Sequence, residues 1–127
     1  MTQLLVIRGL PGSGKSTFAQ AIASLTGWKH FEADMYFINA KGEYEFNSAQ
    51  IMAAHQWCRF NTKMCLATGW NVVVANTFTR IKEIDPYRAM ADDLGVQFNV
   101  IKMVGDYGSI HGVPADALKR MKDRWED

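Results

Sequence analysis

Gln3-Leu-Leu-Val-Ile-Arg8, followed directly by Gly9-Leu-Pro-Gly-Ser-Gly-Lys15-Ser16-Thr17, is the stretch that decides the fold. The first six residues are rich in branched apolar side chains and stop at a cluster of glycines, which reads as a buried parallel strand running into a loop. From Ser16 the pattern turns helical, with Phe18, Ala21, Ile22 and Leu25 recurring at intervals of three and four until Gly27. The loop between strand and helix fits G-x-x-x-x-G-K-[ST]. Its glycines let the backbone turn N–H groups inward around phosphate oxygens, and the helix that follows adds the positive end of its dipole. Lys15 is placed to reach β- and γ-phosphates, and the Ser16 hydroxyl to ligate Mg²⁺. Gly9, Pro11, Gly12, Ser13, Gly14, Lys15, Ser16 and Thr17 are therefore the candidate nucleotide-binding residues, with ATP and Mg²⁺ as the expected cofactors.

Working outward, Lys29 to Ala33 reads as a brief second strand ending at Asp34, and Met35 to Asn47 as an aromatic-rich loop. Ser48 is a candidate cap for a helix running to Thr68. Asn71 to Ala75 is a third strand, Arg80 to Leu94 a broken helix with Asp85 as cap and Pro86 in its first turn, and Val96 to Val104 a fourth strand. After a loop from Gly105 to Gly112, Pro114 to Trp125 forms a last helix. Strands alternating with helices predict right-handed crossovers and an α/β three-layer sandwich, its parallel sheet of about four strands ordered 2-3-1-4 and covered by helices on both faces. Ligands on such sheets bind at the carboxyl ends of the strands, which is where Gly9–Ser16, Asp34 and Ala75–Thr77 fall.

The 127 residues suit one domain spanning 1–127. A net charge of +1 excludes a protein that coats nucleic acid through bulk charge. Cys58 and Cys65 lie seven residues apart in one helix, about 10 Å at its rise, too far for a disulfide. No apolar run is long enough for a membrane span, and no basic region precedes an apolar core as in a signal peptide, so the expected location is cytoplasmic.

The residues "LLVIRGLPGSGKST", then "GEYEFN" (42–47), "AHQW" (54–57), Asn76-Thr77, "HGVP" (111–114) and "RMKDRWE" (120–126) resemble the P-loop kinase family that contains phage polynucleotide 5′-kinases. They also resemble the kinase-like domain of a eukaryotic ubiquitin-ligase-binding protein. The resemblance covers nearly the whole chain. It implies a P-loop NTPase-type kinase that moves the γ-phosphate of ATP to a hydroxyl, with Asp34 at the position of the activating acid. The chain departs from the family in three places. Ala75 stands where the third strand commonly ends in the Walker B Asp. No Arg follows Asp34 before Asn47, where polynucleotide kinases hold the acceptor's phosphate. The loop Asp106–Ile110 has none of the arginines that clamp the donor. The missing third-strand acid leaves Mg²⁺ to Ser16, waters and Asp34.

Other basic residues are then candidates for the phosphates: His111 beside its glycine, and Arg120 and Arg124 on one face of the last helix. His55 falls on the stripe Ile51, Ala54, Cys58, Thr62 and reads as a core histidine. Tyr36, Phe37, Tyr44 and Phe46 read as a loop pinned to the core or as a stacking platform for an acceptor base. The segment free of arginine after Asp34 fits a poorly charged acceptor and argues against a nucleoside monophosphate. The favoured function is a kinase acting on a polynucleotide 5′-hydroxyl. A small-molecule kinase acting on a sugar or nucleoside, and an ATP-binding adaptor with vestigial catalysis, are the alternatives. The sequence does not specify an oligomeric state.

Overall fold

The computed structural model describes residues 1–107 and 112–127. Four parallel strands form one sheet: β1 (Gln3–Arg8), β2 (Lys29–Phe31), β3 (Val72–Asn76) and β4 (Gln97–Lys102). Their order is β2-β3-β1-β4, as the pattern predicts. The helices are α1 (Lys15–Thr26), α2 (Ile51–Ala67), α3 (Asp85–Leu94) and α4 (Ala115–Asp123).

The alternation of side chains along the strands divides the core in two. Leu4, Val6, Val72 and Val74 pack with Cys58 and Leu66 of α2 and with Tyr87, Met90 and Ala91 of α3. Ile7, Val73 and Ala75 face the opposite way, with Ala19 and Ile22 of α1. The sheet is thus sandwiched between α2 and α3 on one face and α1 on the other. β3 is buried along its whole length, the mark of a central parallel strand. Level pairing of β1 with β3 places Arg8 opposite Asn76, so the two central strands end together beneath the phosphate loop.

Several boundaries differ from the sequence expectation. β2 stops at Phe31, and Asp34 lies in a 3-10 turn, Ala33–Phe37, rather than at a strand end. The reason is a side-chain staple: Asn76 Oδ1 accepts from the Ala33 N–H at 2.8 Å, turning the chain before the strand can continue. The segment expected to be loop also contains a bridge between Ile38 and Tyr44. Asn47 rather than Ser48 caps the next helix: its Oδ1 accepts from the Ala49 N–H at 3.0 Å, and Ser48–Gln50 is a 3-10 turn leading into α2. Ile84 rather than Asp85 occupies the cap of α3.

Candidate active site

The loop between β1 and α1 is shaped by backbone conformation. Gly14 adopts φ +91°, which side chains rarely tolerate, and a Cβ there would also press on the Tyr107 ring at 3.2 Å. A Cβ on Gly9 would overlap the Ser13 hydroxyl and meet the Met103 carbonyl at 2.9 Å. The loop is held from outside by Gly9 N–H to Thr77 O at 3.2 Å and Tyr107 N–H to Gly12 O at 2.7 Å. α1 begins at Lys15 with no side-chain cap and no acid in its first turn. Its N–H groups and dipole are thus directed at the cavity with no acidic side chain of the helix's own first turn competing for them. The buried Ser13 hydroxyl has no partner among the described residues.

Two cavities meet at this loop. One, of about 420 Å³, lies over Pro11, Gly12 and Gly14–Thr17 and is roofed by Tyr107, Val113, Ala117 and Met121. The other, of about 460 Å³, runs between the ends of β2 and β3 and the start of α2, past His55, Arg59, Glu83 and Arg124. Lys15, Asp34, Phe46, Thr77 and Met121 line both. Burial lowers the Lys15 pKa, against the opposing pull of Glu32 and Asp34. Two carboxylates flank one ammonium, an arrangement that favours an added cation or a positively compensated phosphate.

Asp34 Oδ1 accepts from the Tyr44 hydroxyl at 3.2 Å. Burial first, and the Asp34 charge second, push the Tyr44 pKa well up, so Tyr44 remains a donor and holds the carboxylate by its proton. Phe46 stacks on Tyr44 with ring planes 17° apart and is 55% exposed at the cavity mouth. The aromatic segment serves core and cavity alike. Phe37 is buried with Ala33 and Ala54, with Tyr36 and Tyr44 packed against them, and it lines the second cavity; Tyr44 and Phe46 line the cavity over the phosphate loop.

The basic candidates separate as well. Arg120 donates to Asp116 at 3.3 Å in an exposed i,i+4 pair and lines neither cavity. Arg124 Nε donates to Thr79 Oγ1 at 3.0 Å, and the side chain lines the second cavity rather than the phosphate loop. His111 lies outside the described residues. His55, expected in the core, lines the second cavity one turn before Arg59. Burial first, then the Arg59 charge, lowers its pKa, which keeps it neutral at pH 7. Arg59 and Arg124 both line the second cavity. The segment after Asp34 has no arginine, but the fold imports two from α2 and from the end of α4.

The sequence reading gave no role to Glu32, Arg8 or Arg59, and placed Asn76 at the strand end without its anchoring contact. Glu32, 6% exposed, accepts from Ser16 Oγ at 2.7 Å through Oε1 and pairs with His30 Nε2 at 2.6 Å through Oε2. Asn76 anchors the turn carrying Asp34. Arg8, 4% exposed, donates Nε and Nη2 to Phe78 O at 3.1 and 2.8 Å and also reaches Glu126 O. Its guanidinium lies 4.2 Å from the Trp125 ring centroid. This knits the C-terminal segment to the end of β1 and brings Met121 and Arg124 to the site. The signal in the sequence was a charged residue inside an otherwise apolar strand, which must find buried partners.

An all-oxygen donor set, Ser16 Oγ backed by Glu32 with Asp34 nearby, suits a hard cation such as Mg²⁺ held largely by phosphates and water. Among the described residues no cluster of three or more His, Cys, Asp or Glu could hold a metal by itself. No helix among them is long and apolar enough to cross a membrane.

A phosphate loop on the first strand of a 2-3-1-4 parallel sheet defines a P-loop kinase-like fold. The chain belongs to the family described as AAA domain (AAA_33), whose profile matches residues 4–106. It is 30% identical over 141 residues to the uncharacterized protein PM0531 of Pasteurella multocida (strain Pm70), covering 95% of this chain and 75% of that protein. It is 26% identical to human NEDD4-binding protein 2 over 97% of its own length, which is 8% of that protein. Among solved structures, a gluconokinase from Sinorhizobium meliloti 1021 superimposes with a TM-score of 0.66 at 19% identity, over 98% of this chain and 75% of that one. A chain of the Pnkp1/Rnl/Hen1 RNA repair complex does so with a TM-score of 0.67 at 18% identity, over 97% and 37%.

Proposed function

We propose that the chain is an ATP-dependent kinase whose acceptor hydroxyl enters the cavity between α2 and the ends of β2 and β3. The observation that carries this reading is the meeting of two cavities at Lys15 and Asp34. One cavity has the backbone donors of a nucleotide site, the other has polar walls of a different character, and the carboxylate stands where they join.

Phosphoryl transfer asks a protein chiefly for positioning and charge stabilisation. The loop N–H groups and Lys15 hold the donor's phosphates. Mg²⁺, when bound, neutralises charge on the β- and γ-phosphates, with Ser16 as its protein ligand. Asp34, held by Tyr44, accepts a hydrogen bond from the acceptor hydroxyl and aligns its lone pair. The acceptor oxygen then bonds to the γ-phosphorus as the bond from phosphorus to the β–γ bridging oxygen breaks. ADP leaves, and the hydroxyl proton passes to Asp34.

The acceptor we favour is a polynucleotide 5′-hydroxyl. Phe46 stacked on Tyr44 at the cavity mouth offers a surface for a terminal base. Arg59 and Arg124 offer charge for the phosphodiester next to it. A small polyol or sugar acid is the second reading. It is favoured by a cavity of about 460 Å³, close to the size of one small ligand. An adaptor that binds ATP without transfer is the reading that Ala75 and the arginine-free 106–110 loop would support. γ-Labelled ATP offered with 5′-hydroxyl oligonucleotides, nucleosides, gluconate, glucose and buffer alone separates them. Label on the oligonucleotide is expected. Label on gluconate alone selects the second reading, and no label on any acceptor selects the adaptor.

A further inference from the structure

The end of β3 carries no acid, yet the phosphate-loop serine still has a carboxylate partner. β2 and β3 pair in parallel with His30 opposite Val73 and Phe31 opposite Val74. Continuing that register places Glu32 level with Ala75 on the next strand. Ala75 packs on the α1 side of the sheet with Ile7 and Ala19. Glu32 also reaches that side, since its Oε1 accepts the Ser16 Oγ proton at 2.7 Å. The strands of a sheet lie about 4.8 Å apart, and Glu32 and Ala75 line the same cavity.

We propose that Glu32 does in this chain what an acid at position 75 would do: it is the carboxylate that prepares Ser16 for Mg²⁺, moved sideways by one strand. A serine hydroxyl that donates a hydrogen bond to a carboxylate keeps both lone pairs for a cation. The carboxylate in turn is fixed by His30, whose ring lies behind it at 2.6 Å. A buried acid held from two sides cannot swing away, which is what orienting a ligand requires. A longer Glu side chain, one strand further out, spans part of the lateral shift that an Asp on β2 would not. Asp34, two residues on, is turned toward Tyr44 instead, so the two acids divide the work. Glu32 acts through Ser16 as a positioning residue, and Asp34 faces the acceptor.

The inference rests on the reading of the Pro11–Thr17 cavity as a Mg·ATP site, and its test needs no acceptor. Calorimetry on the full chain measures the affinity for ADP and for a non-hydrolysable ATP analogue, with excess Mg²⁺ and with EDTA. The parent is expected to bind more tightly with Mg²⁺. In Glu32→Gln the metal-dependent gain should fall by about tenfold or more while the EDTA affinity stays the parent's, the scale seen when partners of metal ligands are removed. Adding Ala75→Asp should return part of the gain by putting the carboxylate back on β3. Should Glu32→Gln fail to fold, Glu32→Asp, which shortens the reach to Ser16, is read in the same way. An unchanged metal-dependent gain in either folded variant overturns the proposal. So does an equal loss with and without Mg²⁺, which would make Glu32 a structural partner of Ser16 only. A folded double variant with no recovery overturns the equivalence of positions 32 and 75. A parent that binds no nucleotide would instead refute the kinase reading itself.

Discussion

The two cavities that meet at Lys15 and Asp34 are assembled in opposite ways. The floor of the proposed donor side is one continuous stretch, Pro11 to Thr17, which offers mostly backbone N–H groups and a helix end. The proposed acceptor side is put together from side chains that the chain delivers separately. Asp34 comes from the turn after β2, His55 and Arg59 from α2, Thr77 from beyond β3, and Arg124 from the end of α4. A loop whose chemistry is backbone tolerates only a few residue types and leaves a contiguous signature. A cavity whose chemistry is assembled can change its side chains one by one, and under the proposed function it is where substrate choice would reside.

The largest expected effect falls on the donor side. Lys15→Ala should weaken ATP binding by about 100-fold or more, roughly 2.7 kcal/mol, and remove transfer with it. Calorimetry measures the first, and an affinity within threefold of the parent would break the donor assignment. On the acceptor side, Arg59→Gln should leave ATP affinity unchanged and raise the acceptor KM by about tenfold for acceptors bearing a phosphate. The KM of a neutral acceptor should move little. A change in ATP affinity instead would dissolve the division between the two cavities.

Arg8→Gln tests the scaffold that brings Met121 to both cavities and Arg124 to the second. It strips charged hydrogen bonds from Phe78 O and Glu126 O and should cost about 2–3 kcal/mol, read as a lower denaturation midpoint at unchanged slope. The smallest effect concerns His55. The folded chain binds its proton less readily than the unfolded chain does. Its contribution to stability is therefore complete above the ordinary histidine pKa of about 6.5 and is lost as pH falls below it. His55→Gln should flatten the fall in thermal midpoint between neutral pH and pH 5, and an unchanged slope would place the titration elsewhere.

The same contrast explains what could be read in the sequence. Strand order and the phosphate loop were legible because apolar runs, glycines and Lys15-Ser16 declare themselves locally. Asp34 was legible by its place after the second strand, although the turn that presents it is set by Asn76, more than forty residues away. Glu32 was not, because one acid inside "HFEAD" acquires meaning only when the β2–β3 register sets it level with Ala75. Arg59 was hidden for a related reason. Its helix position is unremarkable until α2 is packed across the sheet end. His55 read as core because its helical stripe is apolar, whereas the stripe runs out from the core to the cavity wall at that turn.

Asp34, in the proposed function, works on the acceptor at the junction of a donor site and an acceptor site. The most direct test compares Asp34→Asn with the parent in ATP affinity and in single-turnover transfer to whichever hydroxyl the acceptor panel identifies. ATP affinity is expected within a few-fold of the parent, and transfer slower by about 10²-fold or more. Transfer at the parent's rate would contradict that role and leave Asp34 as a turn residue beside Tyr44.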